Sequence, residues 1–169
     1  MDLRQVTEEQ LQKWNSYLAP SGRNRMERYR DVRPHLCGEG LAREMLAQKL
    51  GKAPQNIVIT RNSNGKPLTD GAFFSISHSG DMVLCAVSER PVGVDVECLR
   101  PVPARMADRF GMQEPGAFFR MWTRMEARIK CCGGTIGRLR EFMEPLADCR
   151  EDEIVAPEGY AAAVCEKMK

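Results

Sequence analysis

Gly93-Val94-Asp95-Val96-Glu97 is the stretch from which the rest of the chain is read. The valines are β-formers and Pro91 marks the entry, so the pentapeptide predicts a short strand. Residues two apart on a strand share a face, which projects Asp95 and Glu97 together and away from Val94 and Val96. Paired carboxylates repel unless a cation, a base or a proton lies between them. A hard divalent ion such as magnesium takes oxygen ligands and keeps positions open for phosphate, which suits that geometry. The competing reading is a half-exposed strand with a solvated acidic face, since alternation is the ordinary strand pattern.

Working backwards, Phe73–Ser79 alternates, with Phe74 and Ile76 on one face and Ser75 and Ser77 on the other. His78 stands near its end between Ser77 and Ser79, followed by a Gly80-Asp81 turn. An apolar strand over residues 82–87 and a turn over 88–91 then lead into the acidic strand, so His78 and the carboxylates fall on neighbouring strands. His78 reads either as a structural histidine or as a group that binds an anion. Ser and His adjacent on one strand point to opposite faces, which argues against a serine nucleophile. Residues 62–67 form a turn that holds Lys66 between Gly65 and Pro67, and residues 57–60 read as a short strand.

Earlier still, Leu36, Leu41, Met45, Leu46 and Leu50 make a helical stripe ended by Gly51. Arg23, Arg25, Arg28, Arg30 and Arg33 offer forked, permanently charged donors that suit phosphate. The same arginines could form a solvated helix face with internal ion pairs to Glu27 and Asp31; at least one phosphate contact is expected from the group. Near the start, Thr7 opens a capping box ahead of a short helix carrying Leu11, Trp14 and Leu18.

Working forwards, a proline-punctuated crossover at residues 100–103 precedes a short helix with Arg105, Met106 and Phe110, closed by Gly111. Phe118, Met121, Trp122, Met125 and Ile129 then form an apolar helical stripe. Glu126 and Lys130 line one edge of it at i,i+4 spacing, either as a surface ion pair or as a third metal ligand or general base beside a phosphate clamp. Leu139, Phe142 and Leu146 mark a weaker amphipathic segment, and residues 154–155 and 161–165 read as two closing strands joined by a Pro157 turn.

A length of 169 residues favours one domain, or two small lobes sharing a core. Hydrophobic residues at 43% and charged residues at 28% describe a soluble globular chain. A net charge of +2 gives no polyelectrolyte character, so an arginine-rich nucleic-acid binder is the poorer reading. No apolar run approaches a membrane span, and the N-terminus lacks a signal-peptide core. The seven cysteines are odd in number, scattered and without a C-x-x-C pair, which argues against a disulfide framework and against zinc. Cys85, Cys98 and Cys165 read as small buried hydrophobes, and a reducing cytoplasm is the expected setting.

G-K-P at residues 65–67, F-S-I-S-H-S at 74–79, G-V-D-V-E at 93–97 and W-T-R-M-E-A-R-I-K at 122–130 together resemble the phosphopantetheinyl transferases of the surfactin-synthetase type. Order and spacing agree as well, and the likeness covers roughly residues 28–130. It implies an α+β fold in which two small lobes, residues 1–99 and 100–169, each pack a helix on an antiparallel sheet about a pseudo-twofold axis. The active site would lie between them. The implied activity moves the 4'-phosphopantetheine arm of coenzyme A to a serine hydroxyl of an apo acyl or peptidyl carrier protein and releases adenosine 3',5'-bisphosphate.

By residue match, Asp95, Glu97 and Glu126 would hold Mg²⁺, with Mn²⁺ as the alternative ion. Lys66, Ser77, His78 and Lys130 would contact coenzyme A, the co-substrate, with Arg33 nearby. Glu126 or a metal-bound water would take the serine proton, and Lys130 would stabilise the pyrophosphate as it splits. A monomer is expected, without nucleic-acid or membrane partners. Two departures stand against the pattern. Met125 replaces the family's usual lysine, with Arg124 and Arg128 beside it in other helical directions, and the chain is shorter after Lys130, where loops that meet the carrier protein are expected. The alternative is a catalytically impaired coenzyme A-binding or regulatory homologue.

Overall fold

The computed structural model describes residues 1–168 and, within that range, every side chain except those of Ile136, Arg138 and Arg140. The helices are α1 (Glu8–Ser16), α2 (Pro20–Met26), α3 (Arg33–Leu50), α4 (Ala104–Phe110) and α5 (Pro115–Cys132). The strands are β1 (Thr60–Arg61), β2 (Pro67–Leu68), β3 (Phe73–Ser79), β4 (Met82–Ser88), β5 (Val92–Cys98), β6 (Cys149–Glu153) and β7 (Tyr160–Lys167). All strand pairing is antiparallel: β1 with β2, β3 with β4, and a three-stranded sheet in the order β5-β7-β6. The mixed helix-and-antiparallel-sheet content matches the α+β expectation.

The fold sets an 18-residue helix on a small sheet twice. Helix α3 lies on the β3–β4 hairpin, where Ala42, Leu46, Phe74 and Ile57 close a buried cluster. Fully burying a Phe or Leu side chain contributes about 2–3 kcal/mol. The N-terminus completes this unit: the Met1 ammonium donates to the Val83 carbonyl and the Leu3 N–H to Asp81. Thr7 caps α1 through Gln10 N, as the capping box predicts, and Gly51 ends α3 in the left-handed region.

Helix α5 lies on β5 and β7, and it comes unusually close. A Cβ on Gly93 would collide with the backbone carbonyl of Ala127 and the amide of Cys131, so only glycine lets the helix seat here. That contact sets Lys130 over the β5 face that carries Asp95 and Glu97.

The two sheets meet edge to face through a ladder of serines. Ser75, Ser77 and Ser79 on β3 accept the backbone N–H groups of Val94, Val96 and Cys98 at 3.1, 3.4 and 3.0 Å. The partners advance together along both strands, so β3 and β5 run parallel without main-chain pairing. The opposite face of β3, carrying Phe74, Ile76 and His78, turns to α3. Hydrogen bonding groups β5 with β6 and β7, so the sheets part at the turn over residues 89–91, and the division expected at residue 99 runs through the β5 sheet.

Three expected elements are placed differently. Residues 57–59 are irregular after a 3-10 turn at Pro54–Asn56, and only Thr60–Arg61 pairs. The strand before the last turn is Cys149–Glu153 rather than residues 154–155, where Val155 is fully exposed. It is a charged edge strand, and its sequence C-R-E-D-E hides it from hydrophobic alternation. Leu139 and Phe142 are buried, but on a 3-10 segment, Ile136–Phe142.

Candidate active site

Strand β5 is covered on both faces, so Asp95 is only 3% exposed and the solvated-strand reading fails. Its Oδ1 accepts from the Ser77 hydroxyl at 2.7 Å and from the Lys130 ammonium at 2.5 Å. Its Oδ2 is buried and, among the described residues, has no hydrogen-bond partner. Glu97 Oε2 accepts from the Ser79 hydroxyl and from Arg100, both at 2.9 Å. Alternate serines on β3 thus each orient one of the two carboxylates on β5.

Helix α5 brings Glu126 to the same place, with its Oε2 3.9 Å from the Lys130 ammonium. Burial and the charge of Asp95 push the Glu126 carboxyl above the usual carboxylate range. Burial likewise raises Asp95, against the opposing pull of Lys130 and Ser77. A buried, like-charged carboxylate group with one orphaned oxygen is short of positive charge. Lys130 supplies part of it. The oxygen-only donor set of Asp95, Glu97 and Glu126, with the unpartnered Asp95 Oδ2, fits a hard divalent cation. The three carboxylates do not gather within 4.8 Å of one another, and the Lys130 ammonium lies 2.5 Å from Asp95 and 3.9 Å from Glu126.

Ser77 is saturated: it donates to Asp95 and accepts from Lys130 at 3.0 Å and from the Val96 amide. These three bonds hold the Asp95 carboxylate against β3. His78 lies on the other face of β3, its Nε2 3.3 Å from Nδ1 of His35, which in turn stacks on Tyr29 at 3.5 Å between ring centres. Partial desolvation lowers the pKa of both histidines, with the Lys130 charge also acting on His78 and the His78 charge on His35. No local pattern in the sequence announces the His35–His78 contact, made between a helix and a strand 43 residues apart.

Lys66 reaches the C-terminal end of α5, donating to the carbonyls of Lys130 and Cys131. It caps the helix and favours its dipole, and burial lowers its pKa. Lys66 and Lys130 line one pocket of about 210 Å³, walled by Pro67, Phe74, Ile76 and Gly134. Arg33 is elsewhere: its guanidinium donates to the carbonyls of Leu3 and Val6 and pairs with Glu8. Of the other arginines before it, Arg25 pairs with the buried Glu39 and Arg23 caps the Leu18 carbonyl.

Met125 is 1% exposed, packed against Ile129, Leu139 and Phe142. Position 125 therefore belongs to the core and not to the carboxylate group. Arg128 is taken up by Glu151 and by the carbonyls of Phe142 and Met143, and Arg124 by Glu153, so neither stands in for a missing lysine.

The profile of a family described as "4'-phosphopantetheinyl transferase, N-terminal" matches residues 5–90. The 4'-phosphopantetheinyl transferase psf-1 of Bacillus pumilus is 28% identical over 93% of this chain and 76% of its own length. The 4'-phosphopantetheinyl transferase gsp of Aneurinibacillus migulanus is 34% identical over 62% of this chain and 50% of its own. The 4'-phosphopantetheinyl transferase AcpT of Salmonella typhimurium is 33% identical, over 73% and 72% respectively. The chain spans from 50% to 76% of the length of these relatives.

Proposed function

The chain belongs to the 4'-phosphopantetheinyl transferase family, and on that premise we propose that it transfers the phosphopantetheine arm of coenzyme A to a serine hydroxyl of an apo carrier protein. The observation that carries this reading is the meeting of Asp95, Glu97, Glu126 and Lys130, with the Asp95 Oδ2 buried and unpartnered. Phosphoryl-type transfer needs charge neutralisation and in-line positioning more than covalent help from the protein. The carboxylates would hold a divalent cation, Mg²⁺ in the first instance, which when bound neutralises the diphosphate of coenzyme A.

Lys130 would stabilise the leaving bisphosphate, and Lys66, on the same pocket, would hold the phosphate end of the substrate. Glu126, which α5 brings to the same place, would take the proton of the attacking serine at a carboxylate oxygen. Ser77 and Ser79 keep the acids in place while this happens. Adenosine 3',5'-bisphosphate is the expected second product. Among the described residues no helix is long and apolar enough to cross a membrane; a cytoplasmic monomer acting on carrier proteins is the setting we propose.

Incubation with coenzyme A, Mg²⁺ and a panel of apo carrier proteins, read by intact mass, tests the proposal. A phosphopantetheine-sized gain on a carrier, abolished in Asp95→Ala and Glu126→Gln, is the expected result. Coenzyme A binding in calorimetry with no gain on any carrier would point instead to a binding homologue without turnover.

A further inference from the structure

Three cysteines stand outside the site described above. Cys131 ends the last turn of α5, Cys149 begins β6 and Cys165 lies on β7. Spread over 35 residues of sequence, they form no recognisable spacing, yet their sulfur atoms all lie within 4.8 Å of one another. Cys131 and Cys165 are buried and Cys149 is half-buried, with the exposed Cys132 at the rim. Among the described residues this is the one His, Cys, Asp or Glu group whose ligand atoms gather so closely.

We propose that Cys131, Cys149 and Cys165 form a binding site for a thiophilic d10 metal ion such as Zn²⁺, separate from the carboxylate site. Sulfurs bonded at about 2.3 Å to a tetrahedral zinc lie about 3.8 Å apart. The observed spacing reaches that by small side-chain rotations. The donors select against the ion proposed for the carboxylates, because thiolates favour soft metals and Mg²⁺ takes oxygen. Asp148 Oδ1 is 3.6 Å from the Cys149 sulfur, but its other oxygen pairs with Lys167, so water would fill the fourth position.

The site has a consequence for its neighbour. The carbonyl of Cys131 is one of the two that Lys66 caps, and the other is that of Lys130. An ion tying Cys131 to β6 and β7 would brace the end of α5 from which Lys130 reaches Asp95. The metal proposal itself does not depend on the transferase reading.

The test uses the full chain, reduced and stripped of metal, titrated with Co²⁺ as a spectroscopic probe and then with Zn²⁺ in competition. The expected result is one equivalent of cobalt with the intense near-ultraviolet band of thiolate coordination, displaced by zinc. Cys149→Ser, half-buried and tolerant of the change, loses that band's full intensity and weakens zinc binding, while Cys85→Ser leaves both unchanged. Circular dichroism confirms that each variant is folded. Absence of a thiolate-to-cobalt band in the wild-type chain overturns the proposal, and so does an unchanged band in folded Cys149→Ser. A disulfide within the cluster whose reduction fails to restore cobalt binding overturns it equally.

Discussion

Ser77 shows how much one hydroxyl can hold. It takes two N–H donors and gives its proton to Asp95, so it ties β3, β5 and α5 at one point. Ser77→Ala removes the partner of a buried carboxylate, and the expected loss is about 1–3 kcal/mol in urea unfolding. Metal affinity should fall roughly 10- to 100-fold, as it does when groups supporting metal ligands are removed. The acids also set a pH dependence. Folding raises Asp95 and Glu126 above their unfolded values, so between the unfolded and folded pKa the native state binds more protons. The sign follows: their contribution disfavours folding at neutral pH and is relieved as pH falls through the raised values. Without divalent ions, stability measured by denaturant should carry a component that rises on acidification. Added Mg²⁺ should stabilise more at neutral than at acid pH, because protons compete for the same oxygens. Equal stabilisation at both would place the ion elsewhere.

Among the elements, those governed by local periodicity were legible in the sequence. The apolar stripe of α5, the strand of β5 and the hairpin before it stand where the 3.6- and 2-residue periods put them. The shared face of Asp95 and Glu97 followed from the same rule. What periodicity could not supply were contacts made at long range. That Lys66 reaches the end of α5 and Arg33 the N-terminal segment is not visible in the turn or the arginine run that carry them. The cysteines 131, 149 and 165 read as unrelated because they meet only after β6 and β7 pair. Gly93 reads as part of the strand, but its reason is the helix behind it. Gly93→Ala should drive α5 off β5, since a backbone carbonyl cannot step aside as a side chain can. A loss of about 3 kcal/mol or more is expected in thermal melts. A variant as stable as the parent would mean that the helix sits farther from the strand.

For the molecule as a whole, neither helix-on-sheet unit is self-sufficient. The first has only a two-stranded hairpin for its sheet, and the hairpin's buried serine face needs β5 against it. A fragment ending at residue 90 is therefore expected to show no cooperative melt of its own, and a sharp sigmoidal transition from that fragment would refute the interdependence. The seam between the units has one more property. Main-chain ladders are indifferent to which side chains they carry, so mutation can seldom loosen them a little. Here the rungs are hydroxyls encoded singly by Ser75, Ser77 and Ser79, and each can be erased by a single substitution without breaking either sheet. The grip of one half of the protein on the other is thus open to heritable adjustment in small steps, and the rungs nearest the acids are the ones where such drift would be felt as chemistry.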